Sequence, residues 1–271
     1  MKRRRIVEIL LAISFTTLLL IVIAGGVLLR VQQQHYARNR QLIEALQQGH
    51  ASQALALVQA GADPNTRLEP SPAPSLKEML LRFLPGYVAP SNDSPTALLL
   101  ASGPEWYTES YTVAPLTADE QATLVQAMLL HGADVNATSH YNRTALMVAT
   151  WSKRPRVVVL LLAQGADVNV QDKYGYTALM QAVDQDDIDT MRLLLEHGAN
   201  VNMQEELGNS ALIRTVMDVP YKHEPNENII RLLLAHGANP NLPDKHGQTA
   251  LTMAEKKKRS DLVTVLRNGG K

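Results

Sequence analysis

The chain has 271 residues, 45% of them hydrophobic, and its 26 basic and 26 acidic side chains give a formal net charge of zero. The absence of cysteine excludes disulfides, thiol catalysis and thiolate metal sites. Residues 1–40 hold seven basic residues and one acidic residue, so residues 41–271 are acidic, with 19 basic and 25 acidic side chains, and this argues against a nucleic-acid partner.

The chain starts with a basic cap, residues 1–5, which is followed by an apolar run. From Ile9 to Leu29 no residue is charged over 21 positions. As a helix this run is about 31 Å long, which matches a hydrocarbon core of about 30 Å. The apolar centre of a cleaved signal peptide is usually only about 7–15 residues long. We therefore predict an uncleaved transmembrane signal anchor over residues 6–29, with cleavage after Ala24 as the alternative.

Basic residues flank the anchor on both sides. Four of them and the terminal amine precede it, while Arg30, Arg38 and Arg40 follow it. The balance favours a cytoplasmic N-terminus and a body on the other side of the bilayer. An N-terminal anchor of this kind is typical of a bacterial protein, so we expect the body to lie in the periplasm. Residues 30–40 are predicted to form a juxtamembrane linker.

Two short phrases recur along residues 41–271. One is Gly-Ala-Asp/Asn-x-Asn and the other is Thr/Ser-Ala-Leu. The first phrase starts at Gly61, Gly132, Gly165, Gly198 and Gly237, and the second starts at Thr96, Thr144, Thr177, Ser210 and Thr249. The third glycine of the first phrase lies 33 residues after the second, and the fourth lies 33 residues after the third. Two phrases with one period indicate a tandem repeat.

The unit that opens at Thr144 predicts a short helix, a tight turn and a second helix. Ala145 and Ala149 lie on one helical face and let a neighbouring helix approach closely. The apolar segment from Val157 to Leu162 is too short to be stable as an isolated helix. Gly165 has the left-handed position at which helices often end. Because neither helix can cover its own apolar face, the units must stack, and the stack forms the core.

These phrases resemble the ankyrin repeat, which has the same period. The resemblance covers residues 41–271 and implies an all-α solenoid of about six helix-turn-helix units, preceded by the transmembrane helix. The first unit has no Thr-Ala-Leu phrase, as expected for a terminal unit that caps the stack. The family opens its first helix with Thr-Pro-Leu-His, whose His ties adjacent loops together by hydrogen bonds. Here the Pro and the His are replaced, and the openings read TALM, TALM, SALI and TALT.

Three insertions interrupt the regular spacing, at about residues 66–92, 103–118 and 218–226. The first is rich in Pro and Ser around a short amphipathic stretch near Leu80, and the second carries Trp106, Tyr107 and Tyr111. Insertions in repeat proteins fall on loops, often on the binding face.

The resemblance also implies that the loop tips and the exposed ends of the first helices bind another protein. Carried over position by position, it predicts a partner-binding face on three consecutive units. The residues of this face are His140, Tyr141, Arg143, Trp151, Lys173, Tyr174, Tyr176, Asp184 and Met217, with Glu206 and Leu207 beside them. Tyr, Trp and Arg are enriched at the centres of interfaces. The alternative for Tyr141 and Tyr174 is ordinary packing against neighbouring loops.

No nucleophile elbow, phosphate-binding loop or metal-ligand spacing occurs in the sequence, so we predict no catalysis, cofactor, metal or small-molecule substrate. The leading hypothesis is a membrane-tethered protein-protein interaction module that holds a partner near the membrane surface. The bilayer itself is the second partner, through residues 6–29. Two alternatives remain: a periplasmic inhibitor or immunity protein that neutralises a toxic enzyme, and a structural tether that packs on a membrane complex.

Overall fold

The structure, a computed structural model, describes residues 27, 30–67, 96–103, 116–139, 141–217 and 226–269. None of the helices in these ranges combines the length and the apolarity needed to span a bilayer. The predicted anchor, residues 6–29, lies outside the described residues except for Val27. The centres of the three predicted insertions, including Leu80 and Trp106, lie outside them as well.

The described residues form short helices that fall into six pairs, one pair for each predicted unit. Odd-numbered helices open a unit and even-numbered helices close it. Their bounds are α1 residues 30–47, α2 Ala51–Gln59, α3 Ala97–Ser102, α4 Ala118–Leu130, α5 Ala145–Trp151, α6 Pro155–Ala163, α7 Ala178–Asp184, α8 Ile188–Glu196, α9 Ala211–Val216, α10 Glu227–Ala235, α11 Ala250–Lys256 and α12 Ser260–Arg267. Within the described ranges β structure is limited to isolated bridges.

The helices pack in two parallel rows. From α3 to α11 each opening helix contacts the next opening helix, and from α2 to α8 each closing helix contacts the next closing helix. Each opening helix from α3 onward also packs against the closing helix of its own unit. Leucine, valine, alanine and methionine side chains from both rows form one continuous core. This is the all-α ankyrin-type solenoid that the repeat spacing predicts.

The recurring Thr or Ser begins each opening helix from α3 onward as its N-cap. The hydroxyl of Thr144 accepts a hydrogen bond from the Met147 N–H at 3.3 Å, and that of Thr177 accepts one from the Met180 N–H at 3.2 Å. Such caps satisfy a backbone donor that the helix itself leaves unpaired. The alanine that follows is almost fully buried in each of these units, because a neighbouring helix packs against it. In the Thr/Ser-Ala-Leu phrase, the Thr or Ser therefore caps the helix, the Ala allows a neighbouring helix to pack closely, and the Leu packs in the core.

The last Asn of the Gly-Ala-Asp/Asn-x-Asn phrase links one unit to the next. Asn169 Oδ1 accepts a hydrogen bond from the Asn200 N–H at 2.7 Å, and its Nδ2 donates to the Gly198 carbonyl at 3.1 Å. Asn65 and Asn202 make the same two bonds to the units that follow them. The amide is thus a repeated tie between adjacent turns, which explains why it recurs with the period.

Residues 30–40, predicted as a linker, are helical and continue into the first unit as the N-terminal part of α1. This stretch contains no Gly or Pro and is rich in Gln and Arg, so nothing in it interrupts a helix. Asn39 Oδ1 accepts a hydrogen bond from the Asp63 N–H at 2.9 Å. It thereby takes the position that the linking Asn of a preceding unit would fill, and the first unit begins before residue 41.

The loops between units are tied together although the family's His is absent. Backbone bonds join successive loop tips: the Glu206 N–H donates to the Tyr174 carbonyl at 3.0 Å, and the Lys173 N–H donates to the Tyr141 carbonyl at 2.7 Å. In addition, Gln171 Nε2 donates to the carbonyl of Gly175 in its own loop at 2.8 Å and to that of Gln204 in the next loop at 2.9 Å. A glutamine amide therefore supplies the tie between loops.

We expect Gly175→Ala to destabilise the chain more than Gly165→Ala, although the two glycines have almost the same φ, +80° and +79°. A left-handed backbone costs either alanine about 1–2 kcal/mol. Of these two glycines, Gly175 alone lies against the next loop. A Cβ added there would be 2.8 Å from Glu205 Cα, and this clash adds a loss of roughly 1–3 kcal/mol, whereas a Cβ at Gly165 meets nothing within 4 Å. Urea unfolding of the full chain in detergent measures both changes, and equal losses would contradict the close approach of the loops.

Candidate protein-binding groove

A groove of about 440 Å³ lies across three consecutive units, where α5 and α7 end and the loops before α7 and α9 pass over them. Its walls are Arg143, Trp151, Asp172, Tyr174, Tyr176, Gln181, Asp184, Glu205, Glu206 and Leu207. Five of the nine predicted face residues therefore meet in one concave surface: Arg143, Trp151, Tyr174, Tyr176 and Asp184. The adjacent residues Glu206 and Leu207 also lie in it.

Three aromatic side chains, Trp151, Tyr174 and Tyr176, form much of the wall. Tyr174 is 37% exposed, and its ring stacks on the ring of Tyr141 with centroids 6.3 Å apart and planes 19° apart. The Lys173 ammonium lies 5.5 Å from the Tyr141 centroid. Tyr141 and Lys173 thus lie beside the groove and support Tyr174, which agrees with the packing alternative for Tyr141.

An ion pair fixes the end of α7 to α9. Arg214 Nε donates to Asp184 Oδ1 at 3.1 Å, and the side chain of Arg214 is only 9% exposed. The Arg214 guanidinium also lies over the Tyr176 ring, 4.5 Å from its centroid. Burial raises the pKa of the Tyr176 phenol above its ordinary value of 10.0, so the hydroxyl stays protonated at neutral pH. The bond between Asp184 and Arg214 therefore connects α7 with α9 at the base of the groove.

Two buried carboxylates shape the loops that carry the wall. Asp172 Oδ1 accepts hydrogen bonds from the N–H groups of Tyr174 and Tyr176, both at 2.9 Å, and Asp172 Oδ2 lies 3.6 Å from Arg143 Nε. Glu205 does the same in the next loop, since its carboxylate accepts hydrogen bonds from the backbone N–H groups of Leu207 and Asn209 at 3.0 Å each. Both loops are therefore held in shape before any partner binds.

The remaining predicted residues lie elsewhere. Met217 is at the end of α9, in line with Trp151 and Asp184, but it is not part of the groove wall. His140 lies outside the described residues.

Four residues that shape the groove were not predicted: Asp172, Glu205, Gln181 and Arg214. Aligning the units with one another would have identified these four residues. Gln181 and Arg214 occupy the position four residues after the cap, which is Val148 in the preceding unit and Met253 in the last one. The two carboxylates each lie five residues before a cap.

Two family models match the chain. The one described as Ankyrin repeats (3 copies) matches residues 87–172 and 114–205, and the one described as Ankyrin repeat matches residues 207–245. A search of curated proteins finds no significant match. The matched ranges together cover more than half of the 271 residues and include every wall residue of the groove except Glu206. With the caps, the linking asparagines and the two rows of helices, these matches place the chain in the ankyrin-repeat family.

Proposed function

We propose that this chain is a membrane-tethered interaction module that binds another protein in the groove across α5 and α7. Its family membership indicates a protein-protein interaction module. We assign the binding surface to the groove because Trp151, Tyr174 and Tyr176, from adjacent units, line the same concave surface. Large aromatic side chains in a concave, preformed surface are typical of interface centres. Leu207, which is 58% exposed, extends the same wall.

The tether is supported by the sequence before the repeats. The uncharged run from Ile9 to Leu29 is long enough to span a bilayer, and the basic residues before it favour a cytoplasmic N-terminus. A partner bound in the groove is then held near the outer face of the inner membrane, in the periplasm. Protease added to intact spheroplasts is expected to digest the repeat body. Protection of the body until the spheroplasts are lysed would contradict this orientation.

Site-specific photo-cross-linking tests the groove as the binding surface. A benzophenone amino acid placed at Leu207 in the cells that make the protein is expected to form a discrete adduct with another protein. The matched control is Leu130 at the end of α4, which is also an exposed leucine, 77% exposed, but belongs to the row of closing helices. Adducts from position 130 with none from position 207 would contradict the proposed surface.

The adduct also separates the functional alternatives of the sequence. A soluble enzyme as the cross-linked protein would identify the chain as an inhibitor. An integral membrane complex would identify it as a structural tether.

A further inference from the structure

The groove carries more negative than positive charge. In the part of the chain that the structure describes, four carboxylates line it, those of Asp172, Asp184, Glu205 and Glu206, together with one guanidinium, that of Arg143. Arg214 adds one positive charge through its bond to Asp184, so these described side chains together carry two more negative than positive charges. The carboxylate of Glu206 belongs to an exposed residue at the rim, where it is accessible to a partner. A cationic group is therefore the complementary ligand for this surface.

A buried hydrogen-bond acceptor in the same wall is left without a donor. Gln181 is only 5% exposed, and its Oε1 has no hydrogen-bond partner in the part of the chain that the structure describes. An unsatisfied buried acceptor costs free energy, and a ligand that donates a hydrogen bond to it would recover that cost. The corresponding residues Val148 and Met253 are apolar, so the solenoid itself does not require an amide at this position.

From these two observations we propose that the groove receives an arginine side chain of the partner protein, which deepens the proposed function and rests on it. The positive charge of a guanidinium complements the excess of carboxylates in the groove. The group also has five N–H donors, and one of them can donate a hydrogen bond to Gln181 Oε1. Its flat face also stacks on aromatic rings, which the walls of Trp151 and Tyr174 provide. A lysine ammonium is a compact point charge without a planar face, and it matches this combination less well.

Labelled peptides test the proposal directly. We compare Gly-Ser-Arg-Ser-Gly with the same peptide carrying citrulline, which keeps the shape of arginine but lacks its charge, or lysine at the central position. Fluorescence anisotropy with the full chain in detergent micelles reports the binding of each peptide. The arginine peptide is expected to bind roughly tenfold or more tightly than the citrulline peptide, because charge-assisted hydrogen bonds are lost in the latter. Equal binding of the two, or no arginine binding up to millimolar concentration, overturns the proposal.

Two variants locate the effect within the groove. Glu206→Gln is expected to weaken binding of the arginine peptide, whereas Glu196→Gln, which makes the same charge change at the exposed end of α8, is expected to leave it unchanged. Gln181→Met is expected to weaken binding while unfolding shows equal or greater stability, because it removes an unsatisfied polar atom. Equal effects of the two glutamate variants would contradict the assignment to this groove.

The peptide and cross-linking results together distinguish failure of the arginine proposal from failure of the proposed function. If Leu207 cross-links a protein but the arginine and citrulline peptides bind equally, the arginine proposal is wrong and the binding surface stands. If position 207 forms no adduct and the peptides do not bind, both proposals are wrong.

Discussion

Leu161→Ala is expected to lower the free energy of unfolding by about 2–5 kcal/mol, the range for a leucine removed from a packed core. Leu161 lies in α6, is fully buried and belongs to the continuous core. The helix α6 packs against α4 on one side, α8 on the other and α5 in its own unit. A cavity at this position therefore weakens contacts within one unit and with both neighbouring units.

The same helix offers a matched control. Val159 lies two residues away but is 49% exposed, so Val159→Ala is expected to change the free energy of unfolding by less than about 0.5 kcal/mol. Urea unfolding followed by far-UV circular dichroism measures both variants in the full chain. Similar small losses for the two would mean that the closing helices are not packed as a stack.

A large part of the fold can be predicted from the sequence because the repeat phrases have direct physical roles. Thr144 and Thr177 cap opening helices, and Asn169 bonds the next unit, so their period is the period of the structure. In the four units that open with Thr96, Thr144, Thr177 and Ser210, the alanine and the leucine that follow the cap are buried in the stack. Each of these residues acts within its own unit or on the next one, and that is why a pattern in the sequence identifies it.

The groove is only partly predictable. Trp151, Tyr174 and Tyr176 are found by position, since the end of an opening helix and the tip of a loop are exposed in any unit of this kind. Gln181 lies within α7 and Arg214 within α9, two opening helices whose other residues are mostly apolar. Whether a polar side chain there faces a neighbouring loop depends on the offset between adjacent units, which the repeat period alone does not give.

The boundary at residue 41 is a second case. The first unit lacks the Thr-Ala-Leu phrase, so the start of its opening helix has no cap residue to mark it in the sequence. The structure extends α1 back to residue 30, and Asn39 supplies the tie that a preceding unit would supply. A terminal unit must replace the contacts of a missing neighbour, and the residues that do so differ from those of internal units.

The central claim is that the groove binds the partner, and the combined change Trp151→Ala with Tyr176→Ala tests it most directly. The two truncations remove aromatic walls from adjacent units and are expected to weaken binding of the cross-linked partner by about a hundredfold or more. Tyr174→Ala, at a side chain that is 37% exposed, is expected to act in the same direction with less effect on folding. Circular dichroism verifies that each variant remains helical.

The control for this measurement is Leu130→Ala with Val159→Ala, which removes two exposed apolar side chains from the closing helices. The purified partner is titrated against the full chain and each variant in detergent, and dissociation constants are compared by calorimetry. We predict unchanged affinity for the control and a loss of about a hundredfold or more for the groove variant. Unchanged affinity of the folded groove variant would contradict the account, and a loss confined to the control would place the binding surface on the opposite row of helices.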